Sequence, residues 1–230
     1  TLIQAACGLG LDQAKAISYY AAATHGMPNL GVSPALVLQG PPATGKSTIL
    51  DFLERLCFQP VKLEGALSKA ELRDSLNGRP TALIEEADYI REWLIRNRYS
   101  RRTSKTSVKR DRGHNWESEA LELFGATVLH RRPPFRDPAV QSRSITIRTR
   151  RAEGPFNPDM DAFVPYGDYL GNFADEVDWQ QVLGLGGSRI RDTWAPLVVV
   201  ARHLGDEEWL TWAEGRIEHA EVELGAGQEE

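Results

Sequence analysis

Residues 12–24 are rich in alanine and carry Ile17, Tyr20 and Ala21 at helical spacing, with Asp12 in the first turn and Gly26 just past the end, which predicts a helix. Within residues 32–39 a continuous apolar run, Ala35 to Leu38, ends in Gly-Pro-Pro and predicts a strand buried on both faces. Helical spacing returns over 48–57 through Ile49, Phe52, Leu53 and Leu56, and residues 60–64 predict a second strand. Ser68 with Glu71 three residues on is a capping box, opening a helix that stops near Asn77-Gly78. Residues 81–84 predict a third strand ending in Glu85-Glu86; 116–124 read as a helix, 126–129 as a fourth strand and 144–148 as a fifth. Strands alternating with helices imply an α/β fold: a mainly parallel five-stranded sheet between helices, with right-handed crossovers. Residues 152–187, rich in Pro, Gly and Asp, read as linker, and 192–220 as one or two helices. The expected organisation is a core over 1–151 that includes the N-terminal helix, a linker over 152–187, a small helical lid over 188–224 and an acidic tail over 225–230. No internal repeat is visible.

At 230 residues, 41% hydrophobic and 26% charged, the chain is long and apolar enough to bury a core, which excludes a disordered, collagen-like or disulfide-scaffold protein. The longest apolar run, 194–201, is too short to cross a bilayer, and the first ten residues lack a basic segment followed by an apolar one. A soluble, cytoplasmic protein with no membrane partner is expected. Cys7 and Cys57 are too few for a disulfide framework or a structural zinc site.

The net charge of −5 hides an asymmetry. Residues 91–112 hold nine Lys and Arg against two acids, a local +7 that leaves −12 for the rest, while 206–230 hold nine acids and one arginine. A polyanionic partner is expected at one place on the surface.

The sharpest motif is Gly40, Pro41, Pro42, Ala43, Thr44, Gly45, Lys46 and Ser47, followed by Thr48, between a predicted strand and a predicted helix. Gly, four residues, then Gly-Lys-Ser is the pattern of a phosphate-binding loop: glycines let backbone amides face phosphate oxygens, and the following helix presents its positive end. Lys46 is expected to face solvent in the free protein and to reach the β- and γ-phosphates of ATP, with the Ser47 hydroxyl on Mg2+. The third strand delivers Glu85-Glu86-Ala87-Asp88 to the edge where open α/β sheets bind ligands. Glu85 is assigned to Mg2+ through water and Glu86 to polarising the attacking water.

Further along, Ser142-Arg143 directly precedes the last strand, and 188–197 read Ser-Arg-Ile-Arg-Asp-Thr-Trp-Ala-Pro-Leu. With Tyr20 to His25 and the 85–88 box, these residues resemble the P-loop ATPase domain of prophage and plasmid primase-helicase proteins. That is a domain-of-unknown-function family related in style to AAA+ ATPases and superfamily 3 helicases. The resemblance spans about residues 14–220 and implies a three-layer P-loop NTPase. It implies that Arg143 completes a neighbouring subunit's site, and that Arg189, with Arg191 as its alternate, touches the nucleotide in cis. It implies that the basic window is a hairpin in a central pore, where Arg98, Arg101, Arg102, Lys105, Lys109 and Arg110 contact backbone phosphates. Tyr89 and Trp116 flank the window, Trp93 and Tyr99 lie within it, and all four are weighed between base stacking and core packing. Two positions depart from the family: Glu85 replaces its usual Asp, and His130 stands where AAA+ proteins often have Asn. His130 is read either as positioning phosphate or water, or as structural.

The expected function is ATP hydrolysis coupled to translocation on single-stranded nucleic acid, DNA in the first instance, by a ring of copies, a hexamer, as the motor of a mobile-element replicative helicase. Two rivals stand beside it: a remodelling or defence ATPase whose pore engages polypeptide, and an NTP-dependent switch that hydrolyses weakly.

Overall fold

The computed structural model describes residues 2–90, 92–111, 113, 116–151 and 160–226. Arg91 and Arg112 of the basic window, 152–159 of the expected linker, and 227–230 of the tail lie outside them. The elements are α1 (Leu2–Cys7), α2 (Leu11–His25), β1 (Ala35–Gln39), α3 (Lys46–Leu56), β2 (Pro60–Glu64), α4 (Lys69–Ser75), β3 (Thr81–Glu85), α5 (Trp93–Tyr99), β4 (Lys105–Asp111), β5 (Trp116–Glu122), β6 (Ala126–Arg131), α6 (Pro138–Gln141), β7 (Ser144–Arg148), α7 (Val164–Glu176), α8 (Arg189–His203) and α9 (Glu207–Ala226).

Five strands form one parallel sheet in the order β2-β3-β6-β1-β7. Alternation along each strand divides its apolar residues between two cores. Leu36 and Leu38 of β1, with Val128 of β6 and Ile145 of β7, join the core built with α2, α3, α7, α8 and α9. Ala35 and Val37, with Ala82 and Ile84 of β3, join the one built with α4 and α5. Helices therefore cover both faces, as the alternating pattern implies. The capping box forms as expected: the Ser68 hydroxyl accepts from Glu71 N–H, and the Glu71 carboxylate accepts from Ser68 N–H.

Two expectations are corrected. Residues 116–122 are a strand, not a helix, and β5 pairs antiparallel with β4 from Lys105↔Glu122 to Asp111↔Trp116. Glu, Ala and Leu favour a helix in isolation, but the 117, 119, 121 face lies opposite Thr106, Val108 and Arg110, and burial of Leu121 and Val108 overrides that preference.

The expected linker contains α7 and a 3-10 turn over Trp179–Gly184. Its Pro and Gly residues look like helix breakers, yet Pro165 sits in the first turn of α7, where a missing N–H costs nothing. Gly167 is a point of close approach, since a Cβ there would lie 2.7 Å from the Arg55 carbonyl oxygen. Phe163 stacks on Phe52 at 4.5 Å, and Trp179 packs over Gly26, sealing the segment to α2 and α3.

The C-terminal helices α8 and α9 dock on α2. Trp209 is fully buried, donates its indole N–H to the Asp12 carbonyl at 3.0 Å and meets Tyr19 edge-on at 4.9 Å, while Lys15 pairs with Asp206 at 2.7 Å. Among the described residues, no helix is long and apolar enough to cross a membrane.

Candidate nucleotide-binding site

At the C-terminal end of β1 the chain turns through the 40–47 loop into α3. Gly40 admits no side chain: a Cβ there would lie 2.3 Å from Thr149 Oγ1. Ala43 (φ +59°) and Gly45 (φ +78°) are left-handed, and this curl turns the loop back over the first turn of α3. Thr44 fastens the loop to the end of β7, its hydroxyl 2.7 Å from that of Thr149. Behind the loop, the Cys7 side chain at the end of α1 lies against Gly45.

Lys46 does not face solvent. It is buried, and its ammonium donates to the carbonyls of Gly40 (2.9 Å) and Pro41 (2.6 Å) and to Thr44 Oγ1 (3.3 Å). Burial lowers its pKa, Asp88 opposes that shift, and Arg132 adds to it. The loop's own carbonyls are the hydrogen-bond acceptors that a buried ammonium requires. Ser47 is exposed at the start of α3.

Lys46, the acidic box and His130 converge on one cleft of about 440 Å³. Glu85, at the end of β3, pairs with Lys62 at 2.9 Å, and Lys62 in turn bonds Asp51 at 2.7 Å. Glu86 is exposed and left-handed at φ +47°, a conformation that costs a non-glycine residue roughly 1 kcal/mol or more and recurs at functional sites. Gly65 makes that turn possible, because a Cβ there would come within 2.5 Å of the Glu86 carbonyl oxygen. Glu86 has no ion pair among the described residues.

Asp88, to which no role had been given, accepts from the backbone N–H (2.7 Å) and Nε (2.5 Å) of Arg132. Burial works to raise its pKa, and Arg132's donors outweigh it, holding the carboxylate ionised. The pair ties the acidic box to the end of β6. Its signal in the sequence is Arg131-Arg132 directly after the fourth strand.

His130 stands opposite Leu38 on β1, and its Nδ1 is buried with no hydrogen-bond partner among the described residues. Burial and then Lys46 lower its pKa, so the ring is neutral at pH 7. An orphaned ring nitrogen in the cleft is a group that a ligand or a water would satisfy.

Ser47 and Glu85 are the oxygen donors expected for Mg2+: Glu85 lines the cleft, paired with Lys62, and Ser47 is exposed at the start of α3. Among the described residues, no group of three or more His, Cys, Asp or Glu is placed to hold a metal, and Mg2+ characteristically takes one or two protein oxygens and completes its shell with phosphate and water.

The arginines lie elsewhere. Ala35 N–H donates to the Arg143 carbonyl at 3.0 Å, so Arg143 sits at the N-terminal edge of β1 and β7, opposite the phosphate loop. Its guanidinium bonds the Ala139 carbonyl and lies 5.4 Å from the centre of the Tyr99 ring. Arg189 is at the same edge, its carbonyl 3.4 Å from the Tyr99 hydroxyl, which removes it from its own loop and corrects the cis expectation. Arg191 pairs with Glu214 (2.7 Å) and Glu221 (3.3 Å).

The basic window holds α5, a 3-10 turn and β4, and β4 forms a hairpin with β5, the segment beyond the window that was expected to be a helix; the window's cations divide into two groups. Arg98 is buried in the domain: Nε donates to Thr127 Oγ1, and its other nitrogens to the carbonyls of Leu123, Arg79 and Ala126, all at 2.9–3.0 Å. Burial pushes its pKa down to about 10. Its assignment to nucleic acid is therefore corrected to a structural one, stapling α5 to β6. Replacing Arg98 with Ala would strand the buried Leu123 and Ala126 carbonyls and the buried Thr127 hydroxyl, so a loss of about 3 kcal/mol or more is expected, read as a fall in the urea midpoint.

Arg101 donates to Met27 (2.6 Å) and Leu30 (3.1 Å) carbonyls and lies over Phe124 at 4.2 Å. Arg110 pairs with Asp74 (2.8 Å) and Glu119 (2.7 Å). Arg102, Lys105 and Lys109 are exposed and without an ion pair among the described residues. Lys105, opposite Glu122, and Lys109, opposite Ser118, share one face of the hairpin with Trp116, which is 70% exposed. Tyr99 is buried and Tyr89 is 84% exposed at the rim of the cleft.

The chain matches no protein-family profile and no curated protein sequence. Among solved structures it is similar to the A-form apo structure of the NrS-1 C-terminal region (305–718), at 11% identity and a TM-score of 0.51 over 84% of this chain. This chain spans 46% of that region. A JCV helicase structure also aligns, at 14% identity over 95% of this chain and 66% of that one, with a TM-score of 0.37 that adds nothing to the fold assignment. The parallel five-stranded sheet with helices on both sides is a P-loop NTPase-like fold.

Proposed function

We propose that this domain hydrolyses ATP in a ring of copies and uses the cycle to move along single-stranded nucleic acid, DNA in the first instance, as the motor of a mobile-element replicative helicase. The observation that carries the ATPase part is the convergence of Lys46, Glu85, Glu86 and His130 on one cleft beside a left-handed Gly-Lys-Ser loop. On binding, phosphate oxygens would take over the Lys46 ammonium from the Gly40 and Pro41 carbonyls. Mg2+ held by Ser47 and Glu85 would supply charge neutralisation on the phosphates.

Glu86 aligns the water. The water oxygen bonds to the γ-phosphorus as the bond to the β–γ bridging oxygen breaks, the electron pair leaves with ADP, and the water proton passes to Glu86 and on to solvent, giving ADP and inorganic phosphate. Arg143 serves the neighbouring subunit, because it lies at the edge of the sheet opposite its own loop.

The nucleic-acid part is supported by Lys109 next to exposed Trp116, with Lys105 further along the same hairpin face and exposed Arg102 before β4, none of the three with an ion pair among the described residues; spaced cations with an aromatic suit phosphates and a base better than an apolar peptide. Affinity for single strands should fall with salt at a slope near 0.7 per contacted phosphate and depend little on sequence. Replacing Arg102, Lys105 and Lys109 with Ala is expected to reduce that slope by about two while basal ATPase persists. Unchanged affinity and slope in the triple variant would mean that the hairpin only meets solvent.

A further inference from the structure

Arg143 and Arg189 are 46 positions apart in the chain, yet one joint holds them at the same corner. The Thr193 hydroxyl lies 2.8 Å from both the Ser142 and Arg189 carbonyl oxygens and 3.0 Å from the Tyr99 hydroxyl. Tyr99 thus underlies Arg143 with its ring and meets the first turn of α8 with its hydroxyl. The two positive charges are close enough to repel.

Neither has an ion pair among the described residues: of the nearby carboxylates, Asp137 is taken by Arg96 and Glu221 by Arg191, and Asp192, whose charge also reaches Tyr99, pairs with neither arginine. Arg189 is exposed, and a cavity of about 580 Å³ opens beside it between Ser142, Ser188 and Glu221. Folding that holds two arginines together without an ion pair to either leaves a place that an outside anion would complete. That anion is not the domain's own triphosphate, because five residues of β1, at about 3.3 Å each, separate this edge from the phosphate loop.

We propose that Arg189 acts beside Arg143 as a second catalytic arginine, both reaching the triphosphate bound by the next copy of the chain. The proposal rests on the ring ATPase proposed above and deepens it. The opposite edge of a second copy presents the complementary charge, a bound triphosphate beside Glu85 and Glu86. Neither arginine exchanges a bond or a proton; each neutralises charge that grows on the γ-phosphoryl and leaving oxygens during the water attack already described.

The experiment mixes full-length variants. Arg189→Ala is expected to slow ATP turnover about a hundredfold and Arg143→Ala about a thousandfold. ATP affinity of each, read on subunits diluted below assembly, should stay within about twofold of the parent, because its own phosphate loop is intact. Lys46→Ala subunits have no working loop but keep both arginines. Mixed with Arg189→Ala subunits, they should restore activity above either variant alone, as they should with Arg143→Ala.

Rescue of Arg143→Ala but not of Arg189→Ala overturns the proposal and leaves the ring standing. Rescue of neither, in assemblies shown by labelled subunits to exchange, overturns the ring and the proposal together. Parental turnover in Arg189→Ala, or a loss confined to DNA affinity, also overturns it. Arg189→Lys guards against a folding defect: it keeps the charge and should fall between Ala and the parent, whereas a merely structural α8 terminus would leave Lys and Ala alike.

Discussion

Glu86→Gln is expected to keep ATP bound and to hydrolyse it roughly a hundredfold or more slowly than the parent. Glutamine keeps the shape and the left-handed turn at φ +47°, so the cleft is preserved and only the proton acceptor is lost. Glu86 is the one acid of the box whose charge is not already committed: Glu85 is held by Lys62 and Asp88 by Arg132. Single-turnover hydrolysis, with retention of unhydrolysed nucleotide on the isolated protein, reads the effect. A variant that turns over normally would move the water-handling role to Glu85 or Asp88. Glu85→Gln should show the contrasting pattern, with weakened dependence on Mg2+ and a smaller loss at saturating metal.

Lys46→Ala is expected to weaken ATP binding by on the order of a hundredfold or more. Each hydrogen bond to a charged phosphate oxygen is worth about 1.5–3 kcal/mol, every 1.4 kcal/mol is tenfold, and in the proposed role the ammonium would reach two phosphates. The buried position of Lys46 adds a second consequence. Its removal frees the Gly40 and Pro41 carbonyls, but Pro41 is exposed and water can take the place of the ammonium, so the melting temperature should change by only a few degrees. Calorimetric titration with ATP, beside a melting curve, separates the two. ATP affinity equal to the parent's would show that the 40–47 loop is a turn and not a phosphate site.

What was legible in the sequence was local. Of the five parallel strands, β1, β3 and β6 announce themselves as short apolar runs and β2 and β7 as alternating ones, and the phosphate loop joins a strand to a helix within a dozen residues. The capping box at Ser68 is likewise complete in four. What was not legible depends on distant partners. Whether an arginine is a phosphate contact or a staple depends on what surrounds it, and Arg98 is enclosed by carbonyls from 79, 123 and 126 that its neighbours in sequence do not reveal. Residues 116–122 become a strand because β4 lies alongside, and α7 persists with Gly167 and Gly171 because its packing against α2 and α3 needs them small or repays their cost. Arg189 could not be placed from its spacing to the loop, since only the return of α8 to Tyr99 and Ser142 decides which edge it occupies.

The measurement that tests the motor most directly is ATP turnover by the parent protein with and without single-stranded DNA, with an unfolded polypeptide as control. A basal rate that DNA raises and polypeptide does not is the expected result, and the Arg102, Lys105 and Lys109 triple variant should lose the stimulation while keeping the basal rate. A rate indifferent to DNA and raised by polypeptide, or bound ATP that is never hydrolysed under either condition, would contradict it.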